Sequence, residues 1–536
     1  MIFTSFSFFI FLPAVLLVYF LIPRKMRTGW LLLASLGFYL NFHPKYLLVI
    51  AFSTVVSYLA GRRLETLNGQ QENGARGGAV DDGAAASNGA VDDGVAIAAG
   101  NGSVDDGVVI AAKKRRTVLI LGIVIVTAVL VFFKYTNFLL GNVNKLLGLA
   151  GVDYSVQPLS LVLPVGLSYY TFQVISYIAD VYHGKISAEK NFLHYALYVS
   201  FFPKVISGPI ERAGDFLKQV KECHNFNLWN AKQVRDGIVL MLWGYFQKMV
   251  IADRLAILTG QVMDHFEVYG TVELFVAMCA YCIQMFADFA GYTDAVIGMS
   301  QIMGFSIREN FNAPMMARSI RDYWARWHIS LSSWLRDYIY IPLGGNRKGK
   351  VRKYINIMIT FVLSGLWHGA SWHYVFWGAF HGMYQVLEYL IRPVVDKVNV
   401  ALHTKTESFS YGFLRTVKTW FLVAFAFIFF KLPSAVDGFR YIGRMFTRWN
   451  PWAMFDGTLY TLGISEKYFH LMIWFILILF VVEWMRYQKE VKLDVWLAGQ
   501  CVWFRYGVMI ALLLCIIVFG AYGPAYDAAN FVYFQF

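Results

Sequence analysis

The chain has 536 residues, of which 58% are hydrophobic, 18% aromatic and only 15% charged. Soluble globular chains carry about 25% charged residues, so this composition excludes a soluble domain and indicates an integral membrane protein. The net charge of +13 is read as Lys and Arg collected in cytoplasmic loops, where they set orientation, and not as a nucleic-acid surface. The apolar runs do not alternate apolar and polar residues as the strands of a membrane barrel do. The expected fold is therefore all-α and polytopic, with roughly 11–13 membrane helices at ~20 residues per crossing.

Residues 1–22 are apolar from the start and are followed by Arg24, Lys25 and Arg27, a pattern that predicts a retained spanning helix with its N-terminus outward. Residues 30–42 and 45–60 form a hairpin broken at His43-Pro44, because proline disfavours helix in the residue before it. Arg62-Arg63 then marks the return to the cytoplasm. From 61 to 112 the chain turns rich in Gly, Ala, Asn and Asp and repeats Val-Asp-Asp-Gly at 80–83, 91–94 and 104–107. Such a stretch cannot bury enough apolar surface to offset its ordering entropy. It reads as a disordered cytoplasmic insertion, and the irregular spacing speaks against calcium binding by the Asp-Asp-Gly units. The organisation is thus N-terminal helices at 1–60, an insertion at 61–116 ending in the basic stop 113–116, and a core at 117–536.

Further crossings are expected near 117–140, 158–180, 192–210, 234–251, 272–302, 354–368, 372–391, 416–432, 469–487 and 504–522, with no inverted repeat between the halves. Cys279 and Cys282 lie inside one apolar run and read as small buried hydrophobes. Asp288 shares a helical face with Gln284 and Tyr292. It is a buried acid candidate, more readily explained by a packing network than by catalysis.

Polar groups concentrate between 318 and 382. From 308 to 353 there are ten Lys or Arg against three acids, Glu309, Asp322 and Asp337, which marks a cytoplasmic face suited to anionic lipid. The same surface would attract a ligand with several phosphates, such as a coenzyme A thioester. A helix over 318–339, placed at 100° steps, puts Ile320, Trp324, Trp327, His328, Leu331, Leu335 and Tyr338 on one side. Asp322, Arg326, Ser333, Arg336 and Asp337 fall on the other, so His328 points inward.

In the next span Asn356, Thr360, Ser364 and His368 recur every four residues along an apolar helix. Lipid offers such groups no partners, so this stripe must face the bundle interior or a wet cavity. Gly365 with Gly369, and Gly378 with Gly382, are spaced for close backbone approach between helices. His373 and His381 could join His368 around a metal. No acid lies at ligand spacing, however, so no metal is expected. His368 and His328 are the candidate catalytic pair, and Asn356, Ser364, Trp367, Asp288, Arg326 and Arg347 are candidates for binding substrate or donor.

The segments Arg321-Asp322-Tyr323-Trp324-Ala325-Arg326-Trp327-His328-Ile329-Ser330-Leu331-Ser332, Leu343-Gly344-Gly345-Asn346-Arg347 and Gly365-Leu366-Trp367-His368-Gly369-Ala370 resemble the signature of membrane-bound O-acyltransferases. The likeness is to a bacterial branch that includes the membrane subunit of alginate O-acetyltransferase and the D-alanyl transferase of teichoic acids. Residues 203–211 and 286–294 also resemble family segments, and only the 61–112 insertion falls outside the pattern. The resemblance implies helices around a central funnel, His368 as the catalytic histidine and His328 lining the same tunnel. It further implies an acyl group entering from the cytoplasm and leaving on the outer side, often to a partner protein.

Acyl transfer to a hydroxyl needs a base, and histidine with its ordinary pKa near ~6.5 is suited to that role. His368 is accordingly expected to be the base, and His328 to orient it, hold the thioester end or support the oxyanion. The expected donor is an acyl-CoA, read as acetyl-CoA, with Arg347 to Lys353 on its phosphates and no bound cofactor. The expected acceptor is an extracytoplasmic polysaccharide or an acyl-accepting protein, and the location a plasma or inner membrane crossed many times. The alternative is a transporter or flippase of acyl or glycan groups that makes no bond.

Overall fold

The computed structural model describes residues 2–79 and 106–521, with side chains described at 2–69 and 109–521. The Val-Asp-Asp-Gly repeats at 80–83 and 91–94 and the first half of the third lie outside the described residues, whereas Asp106 and Gly107 begin the helix Asp106–Leu130 inside the expected disordered insertion. Within the described residues every regular element is helical. Six helices are long and apolar enough to cross a membrane: Pro44–Gly69, Val109–Leu149, Thr271–Ile302, Phe409–Lys431, Glu466–Lys489 and Val502–Phe519. The other expected crossings appear as shorter or more polar helices. Thr271–Ile302 is the central pillar, 83% buried across its apolar window, and the outer helices expose Leu, Ile and Phe side chains as lipid contact requires.

Three expectations about local structure are corrected. Helix does not stop at Gly61: it runs Pro44–Ala79. Leu64 and Leu67 are buried, Asn68 donates to the Val181 carbonyl at 3.1 Å, and a Cβ on Gly61 would lie 2.6 Å from the Tyr177 ring. Packing against Leu167–Tyr182 thus carries the helix into the start of the low-complexity run. The expected crossing at 192–210 is a helix of only 9 residues, Phe192–Ser200, about 13 Å long at 1.5 Å per residue. Buried irregular chain follows it. The expected helix over 318–339 is two short ones, Ile320–Arg326 and Ile329–Leu335, followed by a π-turn, Arg336–Tyr340.

Lys350–His368 and Trp372–Ala401 form a tight hairpin. A Cβ on Gly365 would sit 2.1 Å from the Tyr374 carbonyl oxygen, and one on Gly378 would sit 2.2 Å from that of Phe361. The spacing of small residues read from the sequence therefore does bring two backbones together, and it fixes where the His368 end of the first helix stands.

Gly378→Ala should force these helices apart at a cost of about 1–3 kcal/mol, typical of overpacking. A lowered melting temperature in detergent checks this, with Gly443→Ala, whose added Cβ meets nothing within 4 Å, as the neutral comparison.

Candidate active site

His328 stands at the break between the two short helices. It has φ 44° and ψ 51°, the left-handed region that a residue with a Cβ rarely adopts. Asn310 holds it there. The Asn310 carbonyl accepts the Ile329 amide at 2.9 Å, and its Oδ1 accepts the Ser330 amide at 3.2 Å and the Ser330 hydroxyl at 2.5 Å. The same Oδ1 lies 3.4 Å from His328 Nδ1. Four contacts to one residue 18 positions upstream offset the strain and aim the imidazole into the interior, where it is fully buried. Ser330 in turn accepts the Ile210 amide at 3.0 Å, which ties the irregular chain after Ser200 to the same point.

His368 is the last residue of its helix and is 2% exposed. Its ring centroid is 6.3 Å from that of His328. Trp367 lies beside both, at 4.9 Å from His368 and 6.0 Å from His328. Trp334 stacks on Phe172 at 3.7 Å and 2°, and Phe172 stacks on Trp367 at 5.5 Å and 24°. This column of rings couples the helix after His328 to the helix that carries His368. Trp377 and Phe430 close the other side of His368 at 5.0 and 5.4 Å.

A small cavity opens against His368, bounded by Trp367, Lys134, Ser168, Tyr169, Ser207 and the chain 163–167. Gly166, with φ 76°, admits the Val205 carbonyl oxygen to within 2.1 Å of where a Cβ would be, so a larger residue would push the cavity lip away. The lip is further pinned by Asn137 and Asn144, whose side chains each bond both backbone groups of one residue, Leu159 and Val156 respectively, at 2.8–2.9 Å. Such a site can hold a hydroxyl against an imidazole in an enclosure lined by both polar and apolar groups.

The remaining expected site residues divide. Trp367 lines the cavity, and Ser364 is buried one turn before His368. Asn356 sits at the far end of the stripe, where its amide donates to the Leu343 and Gly345 carbonyls at 3.3 and 2.9 Å and holds the basic loop. Arg326 pairs with Asp322 at 2.7 Å and donates to the Asn312 carbonyl at 3.1 Å. Arg347 is exposed in the loop after Tyr340. Asp288 is buried in an ion network in which Lys248 bridges it to Asp253 at 2.5 and 2.7 Å, the arrangement expected of a packing group. His381 accepts from Trp324 Nε1 at 3.3 Å and His373 Nδ1 lies 3.1 Å from the Phe429 carbonyl. Among the described residues no group of three His, Cys, Asp or Glu is placed to hold a metal ion.

Lys134 and Asn310 are among the residues at the site that escaped the sequence reading, as are Ser168 and Tyr169 in the cavity lining. Lys134 had a signal, an ionisable side chain inside an apolar crossing. Asn310 had none, since its contacts lie across the fold.

A family model described as the membrane-bound O-acyltransferase family matches residues 185–431. The probable alginate O-acetylase AlgI of Pseudomonas aeruginosa is 35% identical over 454 residues, which is 83% of this chain and 75% of that protein. The peptidoglycan O-acetyltransferase of Helicobacter pylori is 31% identical over 404 residues, 70% of this chain and 68% of that one. The teichoic acid D-alanyltransferase of Bacillus subtilis is 32% identical over 241 residues, 42% and 59% of the two chains.

Replacing Asn310 with Ala removes the acceptor for Ser330 and the neighbour of His328 Nδ1. A stability loss of about 1–3 kcal/mol is expected from the buried groups left unpaired. Thermal unfolding in detergent and single-turnover acyl transfer check it, and Asn310→Ala should slow transfer more than Gly443→Ala does.

Proposed function

This chain belongs to the membrane-bound O-acyltransferase family, and we propose that it moves an acetyl group from a cytoplasmic coenzyme A thioester to a hydroxyl of an exported polysaccharide, directly or through an extracytoplasmic partner. The observation that carries this reading is His368 at a buried helix end, on the edge of a small cavity and with its ring centroid 6.3 Å from that of His328. His368 takes the proton of the acceptor hydroxyl as that oxygen attacks the thioester carbonyl. The tetrahedral intermediate collapses with loss of the thiolate, which recovers a proton. His328, held rigidly by Asn310, orients His368 or holds the thioester end, and the aromatic walls limit competing water.

An exported polymer as acceptor is supported by the relatives, which are named for action on alginate, peptidoglycan and teichoic acid. Acetyl is favoured because two of those three are named for acetyl transfer. The basic run from Arg347 to Lys353, exposed at Arg347 and Lys348, suits the phosphates of the donor.

Purified protein incubated with radiolabelled acetyl-CoA and an acceptor polysaccharide should release labelled thioester acetyl to product. His368→Ala should lower that rate by about 10²–10⁴-fold, the usual worth of a general base, with protein yield unchanged. Retained activity removes the assignment. Arg347→Glu combined with Lys348→Glu should raise the donor KM several-fold and leave kcat near wild type, and an unaltered KM places the phosphates elsewhere.

A further inference from the structure

We propose that Lys134 is a positioning residue for His368, acting through the peptide carbonyls on which the base stands. This rests on the reading of His368 as the base. The last four carbonyls of an α-helix have no partner within it, and inside a membrane water does not supply one. In Lys350–His368 each of them finds a donor. The Gly365 carbonyl accepts the Gly369 amide at 3.2 Å, and that of Leu366 accepts the Tyr135 hydroxyl at 2.7 Å. The Trp367 and His368 carbonyls both accept from Lys134 Nζ, at 2.5 and 3.2 Å.

The third Lys134 donor reaches Ser168 Oγ at 3.3 Å. All three N–H bonds of the ammonium are therefore directed, and the side chain is fixed. Two consecutive residues reach one helix end because they lie in a π-turn, Val131–Tyr135, between Asp106–Leu130 and Thr136–Leu149. Single π-turns inside helices recur at functional sites. The ammonium also sits at the negative end of the helix macrodipole, where a cation is favoured, and lies 5.8 Å from the centre of the Trp367 ring.

Lys134 is, among the described residues, the one Lys, Arg, Asp or Glu that lines the cavity beside His368. A purely architectural cap would not need to be charged or to stand there. Its ammonium locks the carbonyl of the base itself, so the last helical turn cannot fray or rotate and the imidazole keeps its place against the incoming hydroxyl. Displacements near 1 Å at a reacting group cost about 100-fold in rate.

Lys134→Ala removes Cγ through Nζ, the atoms of a propylammonium ion, from a side chain that lines the cavity. The expected result is a kcat about 100-fold lower with the donor KM within about twofold. Added propylammonium should restore the rate by roughly tenfold or more, the worth of a hydrogen bond from a charged donor, and propanol should not. A melting temperature close to wild type shows that the fold is kept. Should Lys134→Ala not fold, Lys134→Arg is expected to exceed Lys134→Met by at least the same factor. Wild-type rates in Lys134→Ala, no rescue by propylammonium in folded protein, or equal rates for the Arg and Met variants overturn the proposal. Activity in His368→Ala overturns the reading beneath it, whereas inactive His368→Ala beside fully active Lys134→Ala overturns the Lys134 role alone.

Discussion

A helix whose end is buried among side chains must have its final carbonyls met by protein donors. Lys350–His368 ends in this way, and much of the surrounding architecture follows. The helix Val109–Leu149 is bulged at Lys134 and Tyr135 so that a cation and a hydroxyl reach those carbonyls. Ser168 turns toward the same cation from the first turn of Leu167–Tyr182. Three helices distant in sequence are thereby brought to one point, and that point is also the edge of the cavity.

Two further constraints bring His328 to the same place. The glycine contacts between Lys350–His368 and Trp372–Ala401 set the depth and tilt of the His368 end. The ring column Trp334, Phe172, Trp367 carries the element after His328 against it, with the Trp334 indole donating to the Phe172 carbonyl at 2.9 Å. Aromatic stacking and backbone contact are stiff and short-ranged, so the separation of 6.3 Å between the imidazoles is fixed by packing. No direct bond between the rings is needed to keep them together.

How much of this the sequence revealed depends on the range of the forces involved. Composition and apolar run length identify a helical membrane protein, since both follow from the solvent. The every-fourth-residue stripe ending in His368 and the glycine spacings are properties of one helix, and both proved informative. Of the inward side assigned to Ile320, Trp324, Trp327, His328, Leu331, Leu335 and Tyr338, all but the half-buried Tyr338 are buried, even though the single helix drawn through them is broken. That break could not be read from periodicity, because it is imposed by Asn310 through hydrogen bonds to Ile329 and Ser330. Asn356 is a related case: a polar stripe says which side faces inward, not which partner each group meets, and its amide meets the carbonyls of the basic loop. Helix beyond Gly61 was hidden by the composition that follows it, while Leu64 and Leu67 already carried the packing face.

On the proposed reading, a base placed at a capped helix end has a rigid imidazole, which proton abstraction from an acceptor hydroxyl needs. The most direct measurement is the O-acetyl ester content of the cell-surface polymer. It should be compared among cells that make the native chain, cells that make His368→Ala at the same protein level, and cells without the chain. Ester content in the His368→Ala cells that falls to the level of cells without the chain is the expected result. Ester content equal to that of the native chain contradicts His368 as the base.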